Sequence, residues 1–461
     1  MTTHGYTNDS ISLADVPASR RDNKGNIKPH CLPKSDNSSI PNNDFTNIFG
    51  VPNKKSDYSL VIKATNTRFI ATDVAKTEQL LEKLAERMAF PFDWQKKLKQ
   101  KPDCVESIRE NPDIPAGYTY LGQFIAHDLV KNSAPFSDID ERRISQTDFR
   151  KSKLTLETIY GGGPTVCPFA YQAPQDGKDR SLFRFGSVQD DLGSGDFYQK
   201  RDLPRGQKVN LRGGGRHFRD VYIADARNDD HLFISQLSVA FSSLHNTICA
   251  MLRNLELDNA HLCGTKDGSS IFHTAQKITV FIYRKIITED FLDKVLKSEI
   301  YQLYKTNDFK PLSSQSIKDQ RMPLEFSHAA FRLGHMMVRN KYKINEDLKD
   351  AGLGKGNLLV NEALKISASS LKQEDLLPLK SSWLVDWANF FERSQPPPNC
   401  CGKTPCEKQP SSRKRPQPSF RISPSMAERL HHHRRSKHEE FSLVYKDLKH
   451  FGFNLIDIQR L

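Results

Sequence analysis

The feature that most constrains this fold is a set of long segments with apolar residues at helical spacing. Residues 231–256, 271–296 and 324–340 each show this pattern, and 118–130 is a shorter example. Apolar residues three and four apart share one face of an α-helix, and that face must be buried against another element. Strand-like alternation is rare and short. We therefore predict a mainly α protein: a single large helical domain with long loops and few short strands.

The composition divides the chain into an arm, a folded domain and an insertion. Residues 1–55 are rich in Ser, Asn, Asp and Pro and lack apolar periodicity, so a disordered or loosely packed arm is predicted. Residues 56–461 form the predicted domain, interrupted at about 394–440 by a basic insertion rich in Pro and Cys. The cysteines of the insertion are compatible with a zinc site, but the composition of the insertion favours an exposed loop with free thiols.

The chain carries an excess of positive charge. Its 68 Lys and Arg against 55 Asp and Glu give a net charge of +13, which directs attention to nucleic acid or anionic surfaces. No nucleic-acid motif accompanies that charge, and no run of about 18 apolar residues provides a membrane span. The first residues contain no apolar signal core. We expect no nucleic-acid partner, and either a cytoplasmic protein or one exported by a non-standard route.

Two histidines stand in settings that suit chemistry. His127 follows Gln123 by four residues, so the two side chains share a helix face. His335 follows Gly334, and Arg332 precedes it by one turn. An imidazole beside a glycine on an apolar helix suits an axial haem ligand, with the arginine available for a carboxylate such as a propionate. The alternative in both cases is an ordinary core histidine.

A third setting lies directly before the helix predicted from residue 231. Arg227 is followed there by the acidic pair Asp229 and Asp230. Acids at this place also suit the start of a helix, where the dipole favours negative charge, so that interpretation stays open.

Taken together and in this order, the segments resemble the animal-type haem peroxidase superfamily, in particular its smaller bacterial and fungal members. The resemblance covers roughly residues 85–460. It rests on these stretches: YTYLGQFIAHDL at 118–129, TIYGGGP at 158–164, DARNDDHLFISQLSVAFSSLHN at 225–246, FSHAAFRLGHMMV at 326–338 and VDWANFFE at 385–392.

The resemblance implies haem b as cofactor, with hydrogen peroxide and a small reducing substrate as partners. His127 would be the distal histidine with Gln123 beside it, and Arg227 the distal arginine. His335 would be the axial ligand of the haem iron, and Arg332 would bind a haem propionate. The implied function is a peroxidase with a role in the response to oxidative stress.

The chain departs from the family where haem is often covalently attached. Ala126 replaces the Asp that commonly precedes the distal histidine, so that ester cannot form. Asp230 stands where a longer Glu is usual, so an ester from Asp230 stays open. His231 replaces the Met that forms a sulfonium link in some mammalian members. We expect haem to be held mainly by His335 and by packing.

Two further departures concern a calcium ion and the proximal histidine, which is the axial ligand His335. Asp128 matches the calcium ligand of the family, but Lys151 stands where an oxygen ligand belongs and opposes a cation, although Glu157 could still serve. Asp128 would otherwise satisfy backbone groups. Asp447 matches the acceptor of the proximal imidazole, where Asn is common, and would make that imidazole more electron-rich.

Two other functions compete with a peroxidase. A haem fatty-acid dioxygenase of the same superfamily would need a Tyr three residues before the proximal histidine, where this chain has Arg332. A catalytically lapsed scaffold would instead use its basic surface for binding or adhesion.

Overall fold

The computed structural model describes the central part of the chain in segments. These are residues 109–131, 148, 150, 154–173, 180–191, 201–206, 209–210, 217–218, 220–254, 269–306, 322, 326–327, 330–346, 357–363, 366, 377–392, 415–421, 434–436 and 439–440. The predicted arm, most of the predicted insertion and its three cysteines lie outside these segments, so the predictions on them stay predictions.

The predicted mainly α class is confirmed, because helices dominate the described segments. The α-helices are α1 (Gly117–Leu129), α2 (Glu157–Tyr160), α3 (Gly163–Val166), α4 (Leu232–Asn254), α5 (Ser269–Ile286), α6 (Leu292–Val295), α7 (Ser298–Lys305) and α8 (Val360–Ala363). Short 3₁₀-helices span Pro168–Ala170, Ala226–Asp229, Ala330–Met337, Ser381–Trp383 and Trp387–Asn389. Within the described segments, no helix is long and apolar enough to cross a membrane.

The strands of the described segments form four antiparallel pairs. They are β1 (Glu110–Pro115) with β6 (Pro418–Phe420), β2 (Val209–Asn210) with β3 (His217–Phe218), β4 (Lys341–Lys343) with β5 (Asn357–Leu359), and β7 (Arg434–Ser436) with β8 (Glu439–Glu440). Glu110 faces Phe420 in the first pair. This pair brings the C-terminal part of the chain to the N-terminal end of α1.

Helix α1 begins where backbone groups of distant segments meet it. The N–H of Gly117 donates to the carbonyl of Phe390 at 3.0 Å, and the N–H of Ala116 donates to the carbonyl of Gln417 at 2.8 Å. These bonds satisfy N–H groups that a helix start leaves open. A side chain at Gly117 would lie 2.5 Å from the ring of Phe391, so glycine is required for this close approach.

The core joins α1 to α4 and α5 through aromatic rings. Phe124 of α1 stacks on Phe241 of α4 at 5.1 Å, and Phe241 meets Tyr283 of α5 edge-on at 5.6 Å. Phe233 of α4 stacks on Tyr120 at 4.2 Å. Offset and edge-to-face rings at these distances add to the free energy of burial.

The helix predicted for 118–130 and the helix predicted for 231–256 are both present, as α1 and α4. The helix predicted for 271–296 is also present, but five residues, Ile287–Phe291, widen into a π-helical turn between α5 and α6. In this turn Asp290 accepts a hydrogen bond from the hydroxyl of Tyr118 at 2.6 Å, so the widened turn faces α1.

The helix predicted for 324–340 differs from the structure. Phe326 and Ser327 are α-helical, but Ala330–Met337 form a 3₁₀-helix. Gly334 lies inside this segment and weakens an α-helix. The apolar pattern alone does not distinguish the two helix types over so short a stretch.

We expect Phe233→Ala to lower the free energy of unfolding by about 3–5 kcal/mol, because its ring is fully buried between Tyr120 and Phe390 and the truncation leaves a cavity. Phe281→Ala is the matched control, since the ring of Phe281 is 66% exposed, and it should change stability little. Urea unfolding followed by circular dichroism measures both. Equal losses in the two variants would contradict this account of the core.

Candidate functional site

The site is built around the C-terminal end of α1, where an arginine closes the helix. Arg227, on the Ala226–Asp229 turn, donates from Nη1 to the carbonyl of Val130 at 2.7 Å and from Nη2 to the carbonyl of His127 at 2.8 Å. Carbonyls at a helix end lack partners within the helix, so a guanidinium there is favourable for hydrogen bonding and for the dipole. The predicted distal arginine therefore lies against the backbone of the predicted distal histidine.

Arg227 is fixed on its other side by Asp225. Nε donates to Oδ1 of Asp225 at 3.0 Å, and Nη2 donates to Oδ2 at 2.7 Å, so the pair is bidentate. The same carboxylate caps the turn by accepting the N–H of Arg227 at 3.1 Å. Both side chains are buried. A buried bidentate pair of this kind fixes both position and orientation.

The charges of this pair hold each other in the ionised form. Burial acts to raise the pKa of Asp225, but Arg227 and Arg150 hold that pKa well below its usual value. Burial acts to lower the pKa of Arg227, but the neighbouring carboxylates, Asp225 foremost, together raise that pKa above its usual value. The site therefore keeps a fixed positive and a fixed negative charge beside His127.

The imidazole of His127 is buried and held in its neutral form. Burial lowers its pKa well below the usual value, and the nearby charge of Arg227 lowers it further. Its Nδ1 lies 3.4 Å from Oδ1 of Asn228. In a neutral imidazole one ring nitrogen is an N–H donor and the other is an acceptor. The hydrogen bond at one nitrogen therefore determines the role of the other.

The amide of Asn228 is oriented by Thr158. Nδ2 of Asn228 donates to the carbonyl of Thr158 at 2.9 Å, and the hydroxyl of Thr158 donates to Oδ1 of Asn228 at 3.2 Å. The amide oxygen therefore points at Nδ1 of His127, which must be the N–H donor. It follows that Nε2 of His127 carries the lone pair and is a proton acceptor.

Gln123 lies on the same face of α1 as His127, as predicted, but its side chain bonds to another histidine. Oε1 of Gln123 lies 2.9 Å from Nε2 of His231, which is buried at the start of α4. Burial lowers the pKa of His231 to about 3, so this ring is also neutral. The structure thus brings Gln123, His127 and His231 to one region beside the Ala226–Asp229 turn.

The two acids after Arg227 have different surroundings. Asp229 forms an ion pair with Arg205, whose Nη2 lies 2.9 Å from Oδ1, and Asp202 holds the same guanidinium from its other side. Asp230 is buried at the end of the Ala226–Asp229 turn, where its N–H donates to the carbonyl of Arg227 at 3.2 Å. Asp230 also contributes to the raised pKa of Arg227, so its carboxylate lies near the site.

His335 and Arg332 occupy the Ala330–Met337 3₁₀-helix. Residues three apart eclipse each other in such a helix, so these two side chains project from one face, and both are partly buried. Among the described residues, a Cβ added at Gly334 would meet the carbonyl oxygen of Thr119 at 4.0 Å. The 3₁₀-helix thus passes α1 near Thr119, which is about 12 Å along the helix axis from His127.

The carboxylate of Asp128, the predicted calcium ligand, accepts hydrogen bonds from backbone N–H groups. Its Oδ2 accepts the N–H of Leu156 at 2.9 Å, and its Oδ1 accepts the N–H of Thr158 at 3.2 Å. Leu154 and Leu156 have φ of 54° and 56°, a left-handed conformation that is strained for a branched side chain. Asp128 therefore fixes a strained segment against α1.

Asp225, Asn228 and Arg150 are site residues that had no predicted role. Asp225 and Asn228 stand beside Arg227 in the sequence, and a short polar residue before a turn is a recognisable cap. Arg150 reaches the site from a separate segment, and no pattern in the sequence indicates this. Asp447 lies outside the described residues, so its predicted role stays a prediction.

The comparisons with known proteins agree with the predicted resemblance. The family model described as animal haem peroxidase matches residues 188–382, a range that contains Arg227 and His335 but not His127. The resemblance to this family is thus confirmed. A curated relative, "Peroxidase-like protein" of Margaritifera margaritifera, is 28% identical over 141 residues, which are 30% of this chain and 16% of that protein.

A solved structure, Peroxidase A from Dictyostelium discoideum, aligns with 73% of this chain and 62% of its own at 12% identity and a TM-score of 0.42. This chain therefore spans less than two thirds of either relative.

We expect stability to fall as the pH is lowered from about 6.5 towards 4. Burial lowers the pKa of His245 to about 4 and that of His231 to about 3. Below about 6.5 the unfolded chain binds protons that the folded chain does not, so each such histidine costs about 2 kcal/mol between pH 7.5 and pH 5. Urea unfolding at the two pH values measures the loss.

His245→Gln should remove part of this pH-dependent loss, whatever its effect on stability at pH 7.5. His273→Gln is the matched control, because His273 lies on the exposed side of α5 and the substitution should leave the loss as in the parent. A parent protein equally stable at pH 7.5 and pH 5 would contradict the prediction.

Proposed function

We propose that this protein is a haem-dependent peroxidase, which reduces hydrogen peroxide while it oxidises a small donor, in the response to oxidative stress. The observation that carries the proposal is the buried neutral imidazole of His127, whose Nδ1 is committed to Asn228 and which lies beside a fixed guanidinium. That arrangement is a positioned proton acceptor in a site of fixed charge.

The donor set fits haem b. His335 offers a partly buried imidazole, and Gly334 beside it carries no side chain that would crowd a flat group. Arg332 projects from the same face of the 3₁₀-helix, where a guanidinium suits a propionate. When bound, the haem iron would supply the redox chemistry, and the protein would supply position and electrostatics.

His127 would move a proton between the two oxygen atoms of the peroxide. Nε2 accepts the proton from the first oxygen, because Asn228 keeps the N–H at Nδ1. The same Nε2 can then deliver the proton to the second oxygen as it leaves. The positive charge of Arg227 discourages a lasting imidazolium, which keeps His127 ready to accept.

Arg227 would stabilise negative charge that develops near His127. Its three nitrogens already donate to Asp225 and to carbonyls at the end of α1, so its position is fixed before any substrate arrives. Fixed charges of this kind require little rearrangement during the reaction. Asp225 balances the charge and thereby makes its burial possible.

We expect protein expressed with a haem supply to show a Soret band that is lost in His335→Ala. Gly334→Ala should weaken haem binding while changing stability little, since among the described residues the nearest atom to the one added carbon, the carbonyl oxygen of Thr119, lies at 4.0 Å. His273→Ala is the control for loss of a histidine elsewhere. A parent protein without a Soret band would refute the peroxidase and favour a binding scaffold.

We expect His127→Ala to lower peroxide-dependent oxidation of guaiacol by about 10²–10⁴-fold, with the Soret band retained, because the proton acceptor is lost. Arg227→Lys keeps the charge but not the bidentate pair, and should lower the rate less than Arg227→Met. Haem binding with oxygen uptake on an unsaturated fatty acid, and no guaiacol oxidation, would point to a dioxygenase.

The role of Asn228 is tested by the pH dependence of the rate. Asn228→Asp places a carboxylate at Nδ1 of His127, which favours the imidazolium, so the acid limb of the kcat/KM profile should move to higher pH. Asn228→Ala should lower the rate without such a shift. Identical pH profiles in the parent and Asn228→Asp would show that Asn228 does not govern the proton on His127.

A further inference from the structure

One buried arginine contacts three separate segments of the site. Arg150 is 3% exposed. Its Nη2 donates to the carbonyl of His127 at 2.9 Å and to Oδ2 of Asp225 at 2.7 Å, and its Nη1 lies 3.6 Å from Oε1 of Glu157. The three oxygens belong to α1, to the cap of the Ala226–Asp229 turn and to α2.

The oxygens around this guanidinium are of the kind that calcium prefers. Carboxylate and backbone carbonyl oxygens, drawn from separate segments, are the ligands of a hard divalent cation. Glu157 was a candidate calcium ligand on sequence grounds, and Asp128, the other, lies in the same region. The donor set is thus present, but a cationic side chain already binds it.

Asp128 is also unsuited to a metal in this structure. Both of its carboxylate oxygens accept backbone N–H groups, from Leu156 and Thr158. Burial raises the pKa of Asp128, while Arg150 acts to lower it, so the guanidinium supplies positive charge here. A guanidinium stays charged at any physiological pH and matches carboxylates geometrically. A second cation beside it would be repelled.

The segment that would lose its anchor is strained. Leu154 and Leu156 adopt left-handed backbone conformations, and such residues persist only where the surroundings hold them. Arg150 meets Glu157 directly after this strained pair, and Asp128 meets Leu156 within it. Loss of the central cation would therefore loosen the segment that carries Thr158, the partner of Asn228.

We infer that the Arg150 guanidinium takes the structural place of a calcium ion, so that this protein holds its site together with an internal cation and needs no calcium. The inference does not depend on the proposed peroxidase activity, because it concerns only the contacts between these segments.

The test measures the thermal midpoint, Tm, of the full chain with excess calcium and with the chelator EGTA. We expect the two Tm values of the parent to agree, and calorimetric titration with calcium to show no stoichiometric binding. A saturable rise in Tm with calcium, lost in Asp128→Asn, would overturn the inference. This arm uses the unaltered protein, so its result stands whatever the variants do.

Substitution of the arginine gives the second arm. Arg150→Met should lower Tm by about 10 °C, because it leaves buried Asp225 with one cation fewer and frees a strained segment. The Tm of Arg150→Lys should lie between those of the parent and Arg150→Met, since lysine keeps the positive charge but not the planar guanidinium. Lys285→Met is the control, because it removes an exposed ion pair with Glu289 and should leave Tm unchanged.

An Arg150→Met variant as stable as the parent would also overturn the inference. If that variant does not fold, Arg150→Lys still reports the need for a cation. Hydrogen exchange then locates the loss, which should fall in residues 154–160 and at the end of α1.

Discussion

The carboxylate of Asp225 is the group on which the arrangement of the site depends. It accepts hydrogen bonds from Arg227 and from Arg150, and both guanidinium groups then meet the carbonyl of His127. This one carboxylate thus pairs with two buried guanidinium groups at the end of a helix. Removing one partner from such a network costs far more than the network's net contribution, since it leaves an uncompensated charge in the interior.

The same network links stability to the state of His127. The backbone carbonyl of His127 accepts hydrogen bonds from both arginines. The ring of His127 contacts Asn228, which in turn is hydrogen-bonded to Thr158. Thr158 in turn is fixed by Asp128. Hydrogen bonds between buried polar groups favour one arrangement of those groups. The position of Nε2 of His127 therefore follows from groups on four separate segments.

The helices could be predicted from the sequence, whereas the ion pairs could not. The positions of α1 and α4 follow from apolar periodicity, which is a local property. Arg150 meets Asp225 across 75 residues, and the choice of partner depends on how the segments pack. Asn228 is adjacent to Arg227 in the sequence, so its proximity to Arg227 could be predicted. Its hydrogen bond to His127 could not, because that bond forms only when α1 packs against the Ala226–Asp229 turn.

The segment with His335 shows where periodicity reaches its limit. Its apolar spacing predicted an α-helix, and the structure has a 3₁₀-helix over Ala330–Met337. The difference changes which side chains share a face, because residues three apart eclipse each other only in the tighter helix. Arg332 and His335 therefore align in a way that an α-helix would only approximate. Gly334 lies inside this segment and weakens an α-helix there. One small residue thus acts against the helix type that the apolar spacing predicted.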